Sequence, residues 1–121
     1  MSSFINLSNH NSSKWNDAQL STARAYGEIV DIPFPIISPS ANSEEIDLLV
    51  QEYLDRLSGF DIAAVMLQGE FVFTYRLVST LKSKGITVLS ACSERKVVER
   101  IDSEGRTQRE SVFEFVQFRE Y

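Results

Sequence analysis

Most of the side chains able to do chemistry stand in one short stretch. Asn6, Ser8 and Asn9 lead into His10, and Asn11, Ser12 and Ser13 follow it directly. His10 is the single histidine of the chain. An imidazole titrates at about pH 6.5, so it can take and return a proton near neutrality, which is the work of a general acid or base. Asn9 and Ser8 beside it can orient a substrate hydroxyl for that transfer, and Asn6, Ser12 and Ser13 can hold a ligand. The plainer reading of the same residues is that Asn and Ser cap a following helix while the imidazole sits in water.

A second cluster is Gln68-Gly69-Glu70, with Thr74 one helical turn further on. Gly69 permits a close backbone approach, and the amides that open a following helix can meet a phosphate or an oxyanion. One glycine is not a dinucleotide fingerprint, which needs three at fixed spacing. Glu70 at a helix start is also explained by the helix dipole alone. The third cluster is Ser93, Arg95 and Lys96, whose adjacent cations offer phosphate contacts in an otherwise acidic chain. A solvated charged turn is the alternative. Trp15, the only tryptophan, can stack on a base or anchor a helix. Cys92 reads as a small apolar filler. One cysteine and one histidine cannot build a Cys/His zinc site, and no P-loop, GxSxG, HExxH or EF-hand pattern is present, so neither metal nor cofactor is expected.

These clusters need elements to position them. Ser3–Ser8 is a short apolar run and reads as a buried first strand. Asn16, with Gln19 three residues later, has the form of a capping box for a first helix that stops at Gly27. Glu28–Ile32 is a second strand, closed by Pro33 and Pro35. Ser43 caps a second helix whose apolar residues run from Ile46 to Leu57 at helical spacing. Phe60–Leu67 is a third, doubly covered strand, and Phe71 to Leu81 a third helix. Ile86–Ala91 is a fourth strand. Val97 to Ile101 and Val112 to Phe118 flank the turn Asp102-Ser103-Glu104-Gly105 and read as a β-hairpin.

Strands alternating with helices predict a single α/β domain over residues 1–121, Rossmann-like, with a mostly parallel sheet of order 2-1-3-4 and a C-terminal β-hairpin. In such open sheets ligands bind at the carboxyl ends of the strands, where the strand order reverses. That rule selects the loop after strand one, the Gln68–Thr74 turn, and Ser93–Lys96 as a neighbouring wall.

Composition narrows the partners. With 121 residues, 43% hydrophobic and 24% charged, the chain is of globular type. Its net charge of −5 argues against a long nucleic acid, which meets a broad basic surface. No apolar run nears the roughly 20 residues that span a bilayer, and a lone cysteine fits a reducing cytoplasm.

The segments FINLSNHNSSKW, EIVDIPFP, QGEFVFTYRLV and FEFVQFREY resemble small stand-alone ring nucleases found with type III CRISPR systems, relatives of the CRISPR-associated Rossmann-fold (CARF) domains. The resemblance implies a homodimer that binds a cyclic oligoadenylate second messenger across its two-fold axis and thereby switches off antiviral signalling. It also implies metal-independent cleavage, in which a ribose 2′-hydroxyl attacks the adjacent phosphodiester and leaves a 2′,3′-cyclic phosphate. Carried over by location, the site comprises Asn6 to His10, Gln68-Gly69-Glu70 and the Ser93–Lys96 turn. A module that only senses or sequesters its nucleotide is the alternative, and a protein–protein adaptor without a small ligand is a third.

Overall fold

All six residues of β1 (Ser3–Ser8) are buried, on both sides of the strand. A strand buried on both faces needs no alternation of polar and apolar residues, which is why FINLS reads as a run. The computed structural model describes residues 2–121. After β1 come a 3-10 turn at Ser12–Lys14, α1 (Asp17–Arg24), β2 (Glu28–Pro33), α2 (Ser43–Leu57), β3 (Ile62–Leu67), α3 (Phe71–Ser83), β4 (Val88–Ile101) and β5 (Thr107–Glu120).

The strands form one sheet in the order β2-β1-β3-β4-β5. β1 pairs in parallel with β2 and β3, and β3 with β4, while β5 is antiparallel to β4. The fold is therefore α/β with a mixed sheet. The order reverses between β1 and β3. The chain steps outward from β1 to β2, then returns across β1 to add β3 and β4 on the other side.

The helices divide between the two faces. Ala23 of α1 packs with Phe4, Ala64, Met66 and Leu89, flanked by Trp15 and Phe118. On the other face α2 and α3 enclose Ile5, Leu7, Val65, Leu67 and Phe73. Phe73 is fully buried, and its ring meets Phe34 at 5.3 Å and Tyr53 at 5.4 Å, both edge-on. Each such aromatic pair adds about 0.5–1.5 kcal/mol to the burial itself. Among the described residues no helix is long and apolar enough to cross a membrane.

Several boundaries differ from the sequence expectation: β2 takes in Pro33 and β3 begins at Ile62 rather than Phe60, and three further differences bear on the site. The N-cap of α2 is Asn42, whose side chain accepts the Glu45 N–H at 2.9 Å, and Ser43 is the first helical residue. α1 ends at Arg24 with Ala25 as its C-cap, and Gly27 is required for another reason: a Cβ there would lie 2.3 Å from the Ser2 carbonyl oxygen. The largest difference is β4. Ser93–Lys96 is not a turn but mid-strand, because Leu89 to Ile101 pair with β5 across a bulge at Cys92/Ser93. The hairpin turn lies at Asp102, whose Oδ1 accepts the N–H groups of Glu104 and Arg106, both at 2.9 Å. β4 pairs with β3 only at Val88 and Leu89, so the rest of the hairpin projects beyond the carboxyl end of β3.

Candidate functional site

β1 delivers the polar cluster to the carboxyl edge of the sheet, where β2 organises it. The parallel register sets Asn6 opposite Asp31. Asn6 is buried, and its Nδ2 donates to Asp31 Oδ1 at 2.7 Å and to the His10 carbonyl at 2.8 Å. The Ser8 hydroxyl donates to Asn6 Oδ1 at 2.7 Å. Ser12 gives its backbone N–H to Asp31 Oδ1 at 2.9 Å and its hydroxyl to Oδ2 at 2.7 Å. Burial raises the Asp31 carboxyl, but the Ser12 hydroxyl, the Ser12 amide and Asn6 outweigh it and hold the group below its ordinary value.

This network gives the loop its shape, and it occupies several groups expected to face a ligand. Asn6, Ser8 and Ser12 spend their donors inside it. Ser13 lends its N–H to Asn11 Oδ1 at 2.9 Å, which starts the 3-10 turn. Asn9 and His10 are exposed, and their side chains make no hydrogen bond among the described residues.

A cavity of about 790 Å³ opens beside this loop. Ser8 and Met66, at the carboxyl ends of β1 and β3, line it together with Ala91 of β4. Asn9, His10 and Lys14 line one wall, continued by Trp15, Asn16 and Gln19 where the turn enters α1. Gln68 and Gly69 also line it, with Ser93, Phe113 and Phe115 of the hairpin. Lys14 is the one lysine or arginine in this lining, and no carboxylate belongs to it.

The Gln68-Gly69-Glu70 turn is built differently from expectation. Gln68 Oε1 accepts the Ala91 N–H at 2.8 Å and so ties the turn to β4. The close approach at Gly69 is made by the protein itself: a Cβ would lie 2.3 Å from the Phe34 ring. Glu70 is the N-cap of α3, and its carboxylate accepts from Val72 N and from Phe73 N. The amides expected to meet a phosphate are thus held by a carboxylate of the chain. Thr74 is buried on α3 with its hydroxyl unpartnered among the described residues, and it does not line the cavity.

The hairpin cations are also placed elsewhere. As neighbours on a strand, Arg95 and Lys96 point to opposite faces. Arg95 shares the face of Ser93 but donates to Ser111 Oγ at 2.9 and 3.2 Å. Lys96 lies on the other face, ion-paired with Glu114 at 2.8 Å, and the hydrogen bond it donates to that carboxylate raises its pKa. Neither lines the cavity.

Sequence reasoning held Lys14 only as a second choice for the phosphate contact, after Arg95 and Lys96, and passed over Gln19, Asp31 and the hairpin aromatics as parts of this site. Lys14 directly follows the polar cluster, and Gln19 was visible only as a partner in a cap. Asp31 carries no local signal, since only the register of β1 with β2 sets it beside Asn6. Searches of curated proteins and of solved structures return no match. The model of one family, described as "Uncharacterized protein MJ1673 family", matches residues 2–119, a span that runs from β1 to β5 and holds every wall of the cavity. The chain therefore belongs to the Uncharacterized protein MJ1673 family.

Proposed function

We propose that the chain is a Rossmann-like ring nuclease of the cytoplasm, which binds a cyclic oligoadenylate in the cavity above β1 and β3 and linearises it. The family description names no activity, so the reading rests on the cavity and on the sequence resemblance. One observation carries it. In a chain of net charge −5, this cavity is lined by a lysine, a histidine, carboxamides and aromatic rings, with no carboxylate. Such walls suit a phosphodiester and its bases. The cavity also stands at the reversal of strand order, where open α/β sheets bind their ligands.

The residues present serve an attack by the ligand's own 2′-hydroxyl. His10 accepts the hydroxyl proton as the oxygen bonds to the adjacent phosphorus. The bond from phosphorus to the 5′ oxygen breaks, the departing oxygen takes up a proton, and a 2′,3′-cyclic phosphate and a 5′-hydroxyl result. Lys14 offsets the charge that gathers on the phosphate, and Asn9 orients the ribose. Ser8 acts through structure: its hydroxyl is bonded to Asn6, and together they hold the His10 backbone.

A cavity of about 790 Å³ does not surround a ring of several nucleotides. Two copies related by a two-fold axis would enclose one. Val97, Ile101 and Phe113 are 59%, 77% and 71% exposed and share one face of the hairpin with the Glu99–Arg109 ion pair, a mixed surface suited to a second copy. One observation favours the sequestering alternative: with Ser8 committed to Asn6, the lining offers a single imidazole and no carboxylate for proton transfer. Incubation with cyclic oligoadenylates of different ring size decides between the two. A cut ring supports the nuclease, and a ring bound but recovered intact supports sequestration.

A further inference from the structure

We infer that Trp15 and Gln19 form a subsite that reads the adenine base, with Trp15 stacking on the ring and Gln19 selecting adenine over guanine. The inference rests on the cavity being a nucleotide site and goes beyond it by assigning the base contacts. Trp15 is fixed before any ligand arrives. Its ring stands edge-on to Phe4 at 6.3 Å and leans on Phe118 at 6.4 Å, while the half-buried remainder lines the cavity. A rigid aromatic wall of this kind offers stacking worth about 1–3 kcal/mol per base, and at little entropic cost.

Four carboxamides line the same cavity, and their bonding separates them. Asn16 Oδ1 accepts the Gln19 N–H at 2.9 Å to start α1, and Gln68 Oε1 accepts the Ala91 N–H at 2.8 Å. Asn9 stands on the loop beside His10, where the ribose and phosphate would lie. The Gln19 carboxamide is left. It makes no side-chain hydrogen bond among the described residues, and it follows Trp15 by four positions. A carboxamide presents one donor and one acceptor side by side. Adenine presents the complement at N6 and N7, whereas guanine presents two acceptors at O6 and N7. Lys14, adjacent to Trp15 in sequence, then meets the phosphate.

The only tryptophan of the chain is its own reporter. Fluorescence is titrated with adenosine 5′-monophosphate, guanosine 5′-monophosphate and inorganic phosphate. The expected result is saturable quenching by the adenine nucleotide, about tenfold weaker binding of the guanine nucleotide, and no quenching by phosphate. Gln19→Arg should reverse the preference, because a guanidinium donates twice to guanine O6 and N7. Gln19→Leu should abolish the discrimination while the circular dichroism of the fold is kept. Quenching that is absent with the adenine nucleotide, or equal with both, overturns the assignment. Rings cut without any change at Trp15 leave the nuclease standing and remove this subsite. Adenine-selective quenching without cleavage does the reverse.

Discussion

Replacing Asp31 separates the scaffold of the strand-one loop from its chemistry. The carboxylate accepts three hydrogen bonds, two from Ser12 and one from Asn6, at 2.7 to 2.9 Å. Hydrogen bonds to a charged group contribute about 1.5–3 kcal/mol each when buried, and less where solvent competes, as it does at half-buried Asp31. Asp31→Asn keeps one acceptor oxygen for Asn6 and the Ser12 amide and loses the charge, so a loss of about 1 kcal/mol is expected. Asp31→Ala removes all three acceptors and leaves the Nδ2 of buried Asn6 with the His10 carbonyl alone, for a loss of about 2–3 kcal/mol. Urea unfolding at neutral pH measures both. The pH dependence follows from the depressed pKa of Asp31. Its contribution is full above the unfolded carboxylate value of about 3.9 and is lost as pH falls through the lower folded value. The gap between parent and Asp31→Asn should therefore close in acid. Coincident unfolding curves at pH 7, or a gap that persists in acid, would refute the claim that this carboxylate anchors the loop.

Four further outcomes follow from the same geometry. Gly69→Ala should cost about 1–3 kcal/mol by forcing Phe34 aside, and combining it with Phe34→Ala should cost less than the sum of the two, as read from a thermal double-mutant cycle. Lys14→Ala should weaken an anionic ligand and flatten its salt dependence, whereas Lys96→Ala should leave both unchanged, measured by titration at two salt concentrations. Phe73→Ala should cost about 3–5 kcal/mol, since it empties the joint between Phe34 and Tyr53; denaturant unfolding checks it. Light scattering should find a dimer that Phe113→Glu breaks, and a monomer in the parent at micromolar concentration removes the two-fold arrangement.

Where a signal was local, the sequence displayed it. The β1 run, the Asn16 cap, the α2 periodicity and the alternation from Val112 to Phe118 are patterns complete within a short window of sequence, and they were enough to order the sheet as β2-β1-β3-β4. Ser93–Lys96 misled because charged residues are common to turns and to exposed strands. Only pairing with β5, distant in sequence, made it a strand. The site was legible by location and less so by residue. His10, Asn9, Gln68 and Ser93 do meet at one cavity. Asn6, Ser12 and Glu70 instead serve the fold, because partners that no local pattern reveals occupy their polar groups.

Single-turnover incubation of a cyclic oligoadenylate with excess protein, parent beside His10→Ala, tests the central claim most directly. General acid–base assistance is worth about 10²–10⁴ in rate. The parent should yield a linear product ending in a 2′,3′-cyclic phosphate, identified by mass, and His10→Ala should slow its appearance by about that factor while binding the ring within several-fold of the parent. A ring that the parent binds but leaves intact, or one that His10→Ala opens at the parental rate, would contradict the account.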